Sequence, residues 1–237
     1  MDKRWKKFDQ LTGDCYVNMI SGNPGTEIWG KTFSILEDIV QDEKKKTPGF
    51  AQTLDDLEES VDYRCDICGW LEDYLDELDM HNQHAELERV CRKLLAWFPC
   101  EEIYAVNWRA MLAGSLSGQG KFKEAVALGE KWFAKEPENP QAAVTLIYAR
   151  IAAGDLDGAE AIVNQFIYPE TECGDENEII FRAAEVLYKK NGNHKEEKRI
   201  GNILEKYEEE VERLLEELDF GDELDFDDFD EEELPFS

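Results

Sequence analysis

The sequence has no run of about 18 apolar residues, so no stretch of it is long enough to cross a bilayer as a helix. Histidine is scarce: His81, His84 and His194 are all there are, none in a recognisable setting with a nucleophile. No nucleophile-elbow or metalloprotease spelling occurs, so no enzyme and no cofactor are expected. Basic residues are missing from two long stretches. Residues 51–80 carry eleven carboxylates against Arg64 alone, and residues 205–237 carry seventeen against Lys206 and Arg213. The rest is near balance, with eight acidic and eight basic residues over 1–50 and nineteen against fifteen over 81–204, so the net charge of −29 lives in two places. Nucleic acid and anionic lipid would be repelled by both, whereas a basic protein partner would be attracted. The opening MDKRWKKFDQ is charged with no apolar run after it, which gives no secretory signal. Six cysteines at irregular spacing, in a chain large enough to do without staples, read as reduced thiols in a cytoplasmic protein.

Apolar residues in helical steps are abundant, and aromatic residues add large area to bury. The most regular stretch is 106–173, where one pattern is written twice, 34 residues apart. Leu112 recurs as Leu146, Gly120 as Gly154, Phe122 as Leu156 and Ala125 as Ala159. Ala127 recurs as Ala161, Trp132 as Phe166 and Phe133 as Ile167. Each copy reads as helix, glycine turn, helix. A single hairpin buries too little to offset about 1.5 kcal/mol of conformational entropy per ordered residue. A row of hairpins succeeds because each covers its neighbour's exposed face. Ala125 and Ala159 then mark close helix approach, Gly120 and Gly154 the turns, and Pro137 the end of a second helix.

Around this centre the chain divides into an N-terminal helical segment (1–52), a helical repeat domain (53–218) and an acidic tail (219–237). Trp5, Phe8 and Leu11 suggest a first helix, and Phe33, Leu36 and Val40 a second from about 26 to 46, after the Ser21–Gly25 breaker. Leu54, Leu57, Val61, Cys65, Cys68, Leu71, Leu75 and Leu78 predict one long helix, or two joined near Gly69, with an acidic opposite face. Residues 83–98 supply its partner, closed by Pro99. Ile179, Phe181, Ala184, Leu187 and Tyr188 open a last hairpin, with a turn at Asn191-Gly192-Asn193 and a helix from Ile200 to Leu218. The tail has ten acidic residues, no basic ones and four phenylalanines, which predicts disorder. It reads as a solubiliser or as a docking segment for a basic protein or for the chain's own groove.

Two spellings suggest chemistry. Residues 25–32 fit G-x-x-x-x-G-K-T, a phosphate loop in which Lys31 and Thr32 would meet phosphate and Mg²⁺. Against that stand Glu27 beside the phosphates, the bulk of Ile28 and Trp29, and the lack of strands for a parallel sheet; the alternative is a helix start after a Pro-Gly turn. Cys65-x2-Cys68 followed by His81-x2-His84 approaches a zinc spelling, with the histidine gap one residue short. A helix over 66–80 would hold the pairs about 20 Å apart, which leaves buried thiols and solvent-side histidines.

The 34-residue pattern resembles the tetratricopeptide repeat (TPR) family in its Leu112/Leu146, Gly120/Gly154, Phe122/Leu156, Ala125/Ala159 and Pro137. It departs where the family has a first-helix Trp, here Arg109 and Ala143, and at Ile147, Trp132 and Phe166. The resemblance implies an all-α superhelix of about five antiparallel hairpins and a non-enzymatic scaffold that binds a protein or peptide. It implies a concave surface formed by the first helix of each pair: Asn107, Ala110, Gly114 and Ser117, then Gln141, Val144, Tyr148 and Ile151. Family members that grip carboxylates carry Lys, Arg and Asn there, whereas Ala, Gly and Val favour an apolar or aromatic peptide. The alternative for these eight residues is packing against neighbouring helices.

Overall fold

A computed structural model describes residues 2–21 and 26–219. Of the predicted tail 219–237 all but Asp219, and of the breaker Ser21–Gly25 all but Ser21, lie outside the described residues. Among those described there are eleven helices and no strand. The described residues form two compact units, divided between Ile162 and Val163.

In the first unit, α1 (Lys3–Ile20) packs on α2 (Glu27–Lys46), and α4 (Ile67–Met80) on α5 (His84–Trp97). Next come α6 (Ile103–Gly118), α7 (Phe122–Phe133) and α8 (Pro140–Ala153), with α9 (Leu156–Phe166) crossing into the second unit. α5 packs on α6, α6 on both α7 and α8, and α7 on α8, so successive hairpins cover one another. Gly120 (φ +73°) and Gly154 (φ +79°) make the turns in the left-handed region predicted for them. Asn139 caps α8 by accepting from the amides of Gln141 and Ala142, with Pro140 in the first turn. Ala125 and Ala159 are fully buried, as close helix approach requires. At Gly129 the approach is tighter: a β-carbon there would meet Leu146 Cα at 3.0 Å.

An aromatic chain carries the core back to the N-terminus. Phe8 meets Trp70 edge-on at 5.2 Å, Trp70 stacks with Trp29 and Tyr74, and Phe33 bridges Tyr74 to Trp97. Phe98 then reaches Trp108 at 6.1 Å. One cluster therefore spans α1, α2, α4, α5 and α6, and each pair adds about 0.5–1.5 kcal/mol beyond its burial. Trp108, one place before the family's tryptophan position, is 1% exposed within it.

Of the two expectations for 53–80, one long helix or two joined near Gly69, the structure has two helices. They are α3 (Leu54–Glu59) and α4, with a turn over 60–66 between them, and the break lies ahead of Gly69. Asp62 and Tyr63 have φ of +55° and +52°, which a helix cannot contain. Helix starts on both sides are fixed by carboxylates. Thr53 and Asp56 form a capping box, Asp66 accepts from Gly69 N, and Glu58 accepts from the amides of Ile67 and Cys68. Glu101, only 8% exposed, accepts from Leu54 N and from the amides of Ile103 and Tyr104, tying α3 to the start of α6. Glu77 on α4 is likewise only 8% exposed, although the sequence places it on a strongly acidic helix.

In the second unit, α10 (Glu178–Asn191) and α11 (His194–Asp219) pack as a hairpin turned at Gly192 (φ +75°). Ile180, Phe181, Ala184, Leu187, Ile200 and Leu204 are buried between or beside them. Glu197, where the repeats have alanine, is half-buried instead.

Glu88 joins the α4–α5 hairpin to the α6–α7 turn. Its carboxylate accepts from Lys121 at 2.7 Å, Arg92 at 2.8 Å and Gln119 at 2.8 Å, which together hold it down at about 2, against an ordinary 4.5, despite burial. A depressed folded-state value stabilises the fold above the unfolded value and is lost as pH falls through the folded one. Glu88→Gln should therefore cost about 1–2 kcal/mol at pH 7, allowing for screening at the exposed ends of Lys121 and Arg92. Urea unfolding should show the gap between variant and wild type intact above pH 4.5 and closing as pH approaches 2.

Candidate partner-binding cleft

α5, α7 and α11 are amphipathic, but α6 and α8 are apolar around most of their circumference. A helix apolar all round is buried all round, or it leaves an uncovered apolar face. α6 turns Trp108, Leu112 and Leu116 inward, and α8 turns Ala142, Leu146 and Ile147 inward. What remains between them is a cleft of about 450 Å³.

Ala110, Ala113, Gly114 and Ser117 line it from α6; Gln141, Val144, Thr145, Tyr148, Ala149 and Ala152 line it from α8. Six of the eight residues expected on the concave surface thus meet at one place. Asn107 and Ile151 do not. Asn107 is exposed one turn before the cleft begins, and Ile151 is only 5% exposed, turned into the interior. The stripe on α8 advances from Tyr148 by four residues to Ala152, because the 3.6-residue turn drifts a three-step pattern off the face. Thr145, Ala149 and Ala113 are lining residues that the register did not predict.

Among the described residues no charged side chain lines the cleft. Gly114 keeps the α6 wall low, since nothing lies within 4 Å of a β-carbon built on it. Ser117 donates its hydroxyl to Ala113 O at 3.0 Å. Tyr148 is 41% exposed and sets a phenol at the rim. Such walls suit an uncharged, apolar side chain of a ligand, with a few hydrogen-bonding atoms to orient it.

Residues 116–169 match the tetratricopeptide repeat family model. This segment is a TPR-like repeat. The matched stretch runs from the last turn of α6 through α7 and α8 to just past α9, so it includes the α8 wall of the cleft. No curated protein and no solved structure matches the chain.

The two chemical spellings fare differently from the repeat. Residues 27–32 are not a loop but the first turns of α2, with Trp29 and Thr32 fully buried. Thr32 donates to Ile28 O at 2.9 Å and lies 3.4 Å from Cys15 Sγ, so its hydroxyl is committed inside the core, away from any Mg²⁺. Residues 27–32 are therefore helix and core, not a phosphate loop. In the zinc spelling, Cys68 lies in the first turn of α4 and His81 just past its end, about 20 Å away along the helix. Burial and then Glu58 push the Cys68 thiol up to about 12, away from the thiolate a metal needs. The histidines are not solvent-side as expected: His81 and His84 are half-buried, and the His84 ring packs against Gly118. Among the described residues no group of three or more His, Cys, Asp or Glu is placed to hold a metal. Zinc added in stoichiometric amount, or a chelator, should leave the thermal midpoint within about 1 °C; a rise of several degrees with zinc would contradict this geometry.

Proposed function

We propose that this protein is a non-enzymatic interaction scaffold whose cleft between α6 and α8 receives an apolar or aromatic side chain from an extended segment of a protein partner. The observation that supports this reading is the pairing of two helices, apolar on nearly every side, whose shared outer face is lined by small uncharged residues over about 450 Å³. Pure packing would fill that face with a neighbour's side chains. The TPR-like segment, which includes the α8 wall, supports a protein ligand in preference to a small metabolite.

Charge refines the partner. The net charge of −29 and the carboxylates crowded on 51–80 and 205–237 favour a partner with basic flanks around its apolar anchor. They disfavour nucleic acid, whose phosphates would face the same repulsion. Among the described residues no helix is long and apolar enough to cross a membrane, which agrees with a protein partner.

Gly114→Leu separates binding from folding. A leucine side chain there enters open space, and exchanging glycine for a good helix former should stabilise α6 by about 0.5–1 kcal/mol. The variant should melt no lower than wild type while losing the partners recovered by wild type from native extract. Undiminished recovery by a well-folded Gly114→Leu would show that the cleft is not the binding surface.

A further inference from the structure

α11 is longer than anything α10 can cover. It runs for 26 residues, about 39 Å, against 14 residues and about 21 Å for α10. Because the hairpin turns at Gly192, α10 is used up opposite the middle of α11. There Arg182 reaches Glu208 at 2.9 Å, and Tyr207 donates to Asp175, ahead of the α10 start, at 2.5 Å. Burial follows the overlap: Ile200 is 0% exposed and Leu204 4%, but Leu214 is 47% and Leu215 61% exposed.

The apolar pattern does not stop where α10 stops. Leu204, Tyr207, Val211 and Leu214 continue in alternating steps of three and four, the seam of a helix that expects a second helix alongside. Leu215 widens the seam. Glu208 flanks it on one side and Glu210 on the other, with Glu212 further round; over 205–216 six carboxylates meet only Lys206 and Arg213, and Arg213 lies 4.0 Å from Glu210. A second copy of this chain would set this acidic margin against its own like, and the acidic residues that follow in the sequence carry the same sign. We propose that the distal part of α11, centred on Val211, Leu214 and Leu215, is a docking strip for an amphipathic helix of a partner protein that carries Lys or Arg on both margins of its apolar stripe. The seam supplies the apolar contact and the carboxylate margins supply selection by charge. This strip is distinct from the cleft between α6 and α8 and does not depend on it.

The full-length protein can be titrated with a synthetic helix of about three heptads, with Leu and Ile in the seam and Lys on both margins. Binding is followed by fluorescence anisotropy at about 50 mM and about 500 mM NaCl, because salt removes charge-only association. A control peptide carries Glu on the margins. The strip predicts one-to-one binding that persists at high salt and weakens about tenfold or more in L214A/L215A, an exchange that leaves the charge unchanged. Gly114→Leu should bind the peptide as wild type does. Both leucines are exposed, so the double variant should keep its circular dichroism and melting point. The proposal is overturned by absence of binding, by equal affinity in L214A/L215A, or by equal affinity for the Glu-flanked peptide. It is also overturned if light scattering finds a dimer that L214A/L215A dissociates, since a second copy would then be the occupant.

Discussion

Where α7 meets α8, a β-carbon on Gly129 would stand 3.0 Å from Leu146 Cα and 3.2 Å from its Cβ, so one hairpin rests on the next backbone to backbone. Much of the first unit follows from approaches of this kind. Ala125, Ala142, Ala143 and Ala149 are buried to 2% or less and keep neighbouring helices close enough for leucines and isoleucines to fill the gaps. Without the adjoining hairpin, each of these faces would be an exposed apolar strip on a pair of helices too small to fold alone. Polar links then fix register. Glu88 spans from α5 to the α6–α7 turn, and Arg150 reaches from α8 to Glu130 on α7 and to Asp155 beyond the Gly154 turn.

The same rule, that a helix face is covered or is for covering, organises the functional reading. α6 and α8 must be apolar on several sides because they pack against several neighbours, and the side left over is a cleft with no charge in its walls. α11 is covered along its first half and keeps its seam beyond. The two surfaces differ in chemistry. The cleft is small and neutral and suits a side chain; the strip is long with acidic margins and suits a helix. Elsewhere the carboxylates have structural work, since Glu58 and Glu101 cap helix starts from a distance and Glu37 holds Arg89 and Lys93.

The repeat was legible because its information is local. Glycine turns, buried alanines and a 34-residue period locate α6 to α9, and Phe33, Leu36 and Val40 locate α2. Six cleft residues followed from register alone, whereas Asn107 lies one turn ahead of the cleft and Ile151 is turned into the interior. A break near Gly69 was one of two readings, but its place at 60–66 was not legible: apolar steps of three and four run through it, and Asp62 and Tyr63 in left-handed conformations mark it. No spacing rule anticipates Glu101 capping α3 from the far side of a hairpin, or His84 lying on Gly118, because both are contacts made only when the row is assembled. The zinc and phosphate-loop spellings misled for the converse reason: short spacings survive in sequence whether or not the fold brings the residues together.

The central claim is that packing between hairpins, more than helix formation within them, holds the first unit together. Urea unfolding of Gly129→Val beside Ala127→Val tests it most directly, because Gly129 is buried against α8 while Ala127 is exposed on the same helix. Helix propensity alone makes Gly129→Val slightly stabilising and Ala127→Val destabilising by about 0.5 kcal/mol. Inter-hairpin contact reverses the order, with Gly129→Val losing about 1–3 kcal/mol to overpacking and Ala127→Val losing the lesser amount. A Gly129→Val protein as stable as wild type would mean that α7 and α8 do not meet as described.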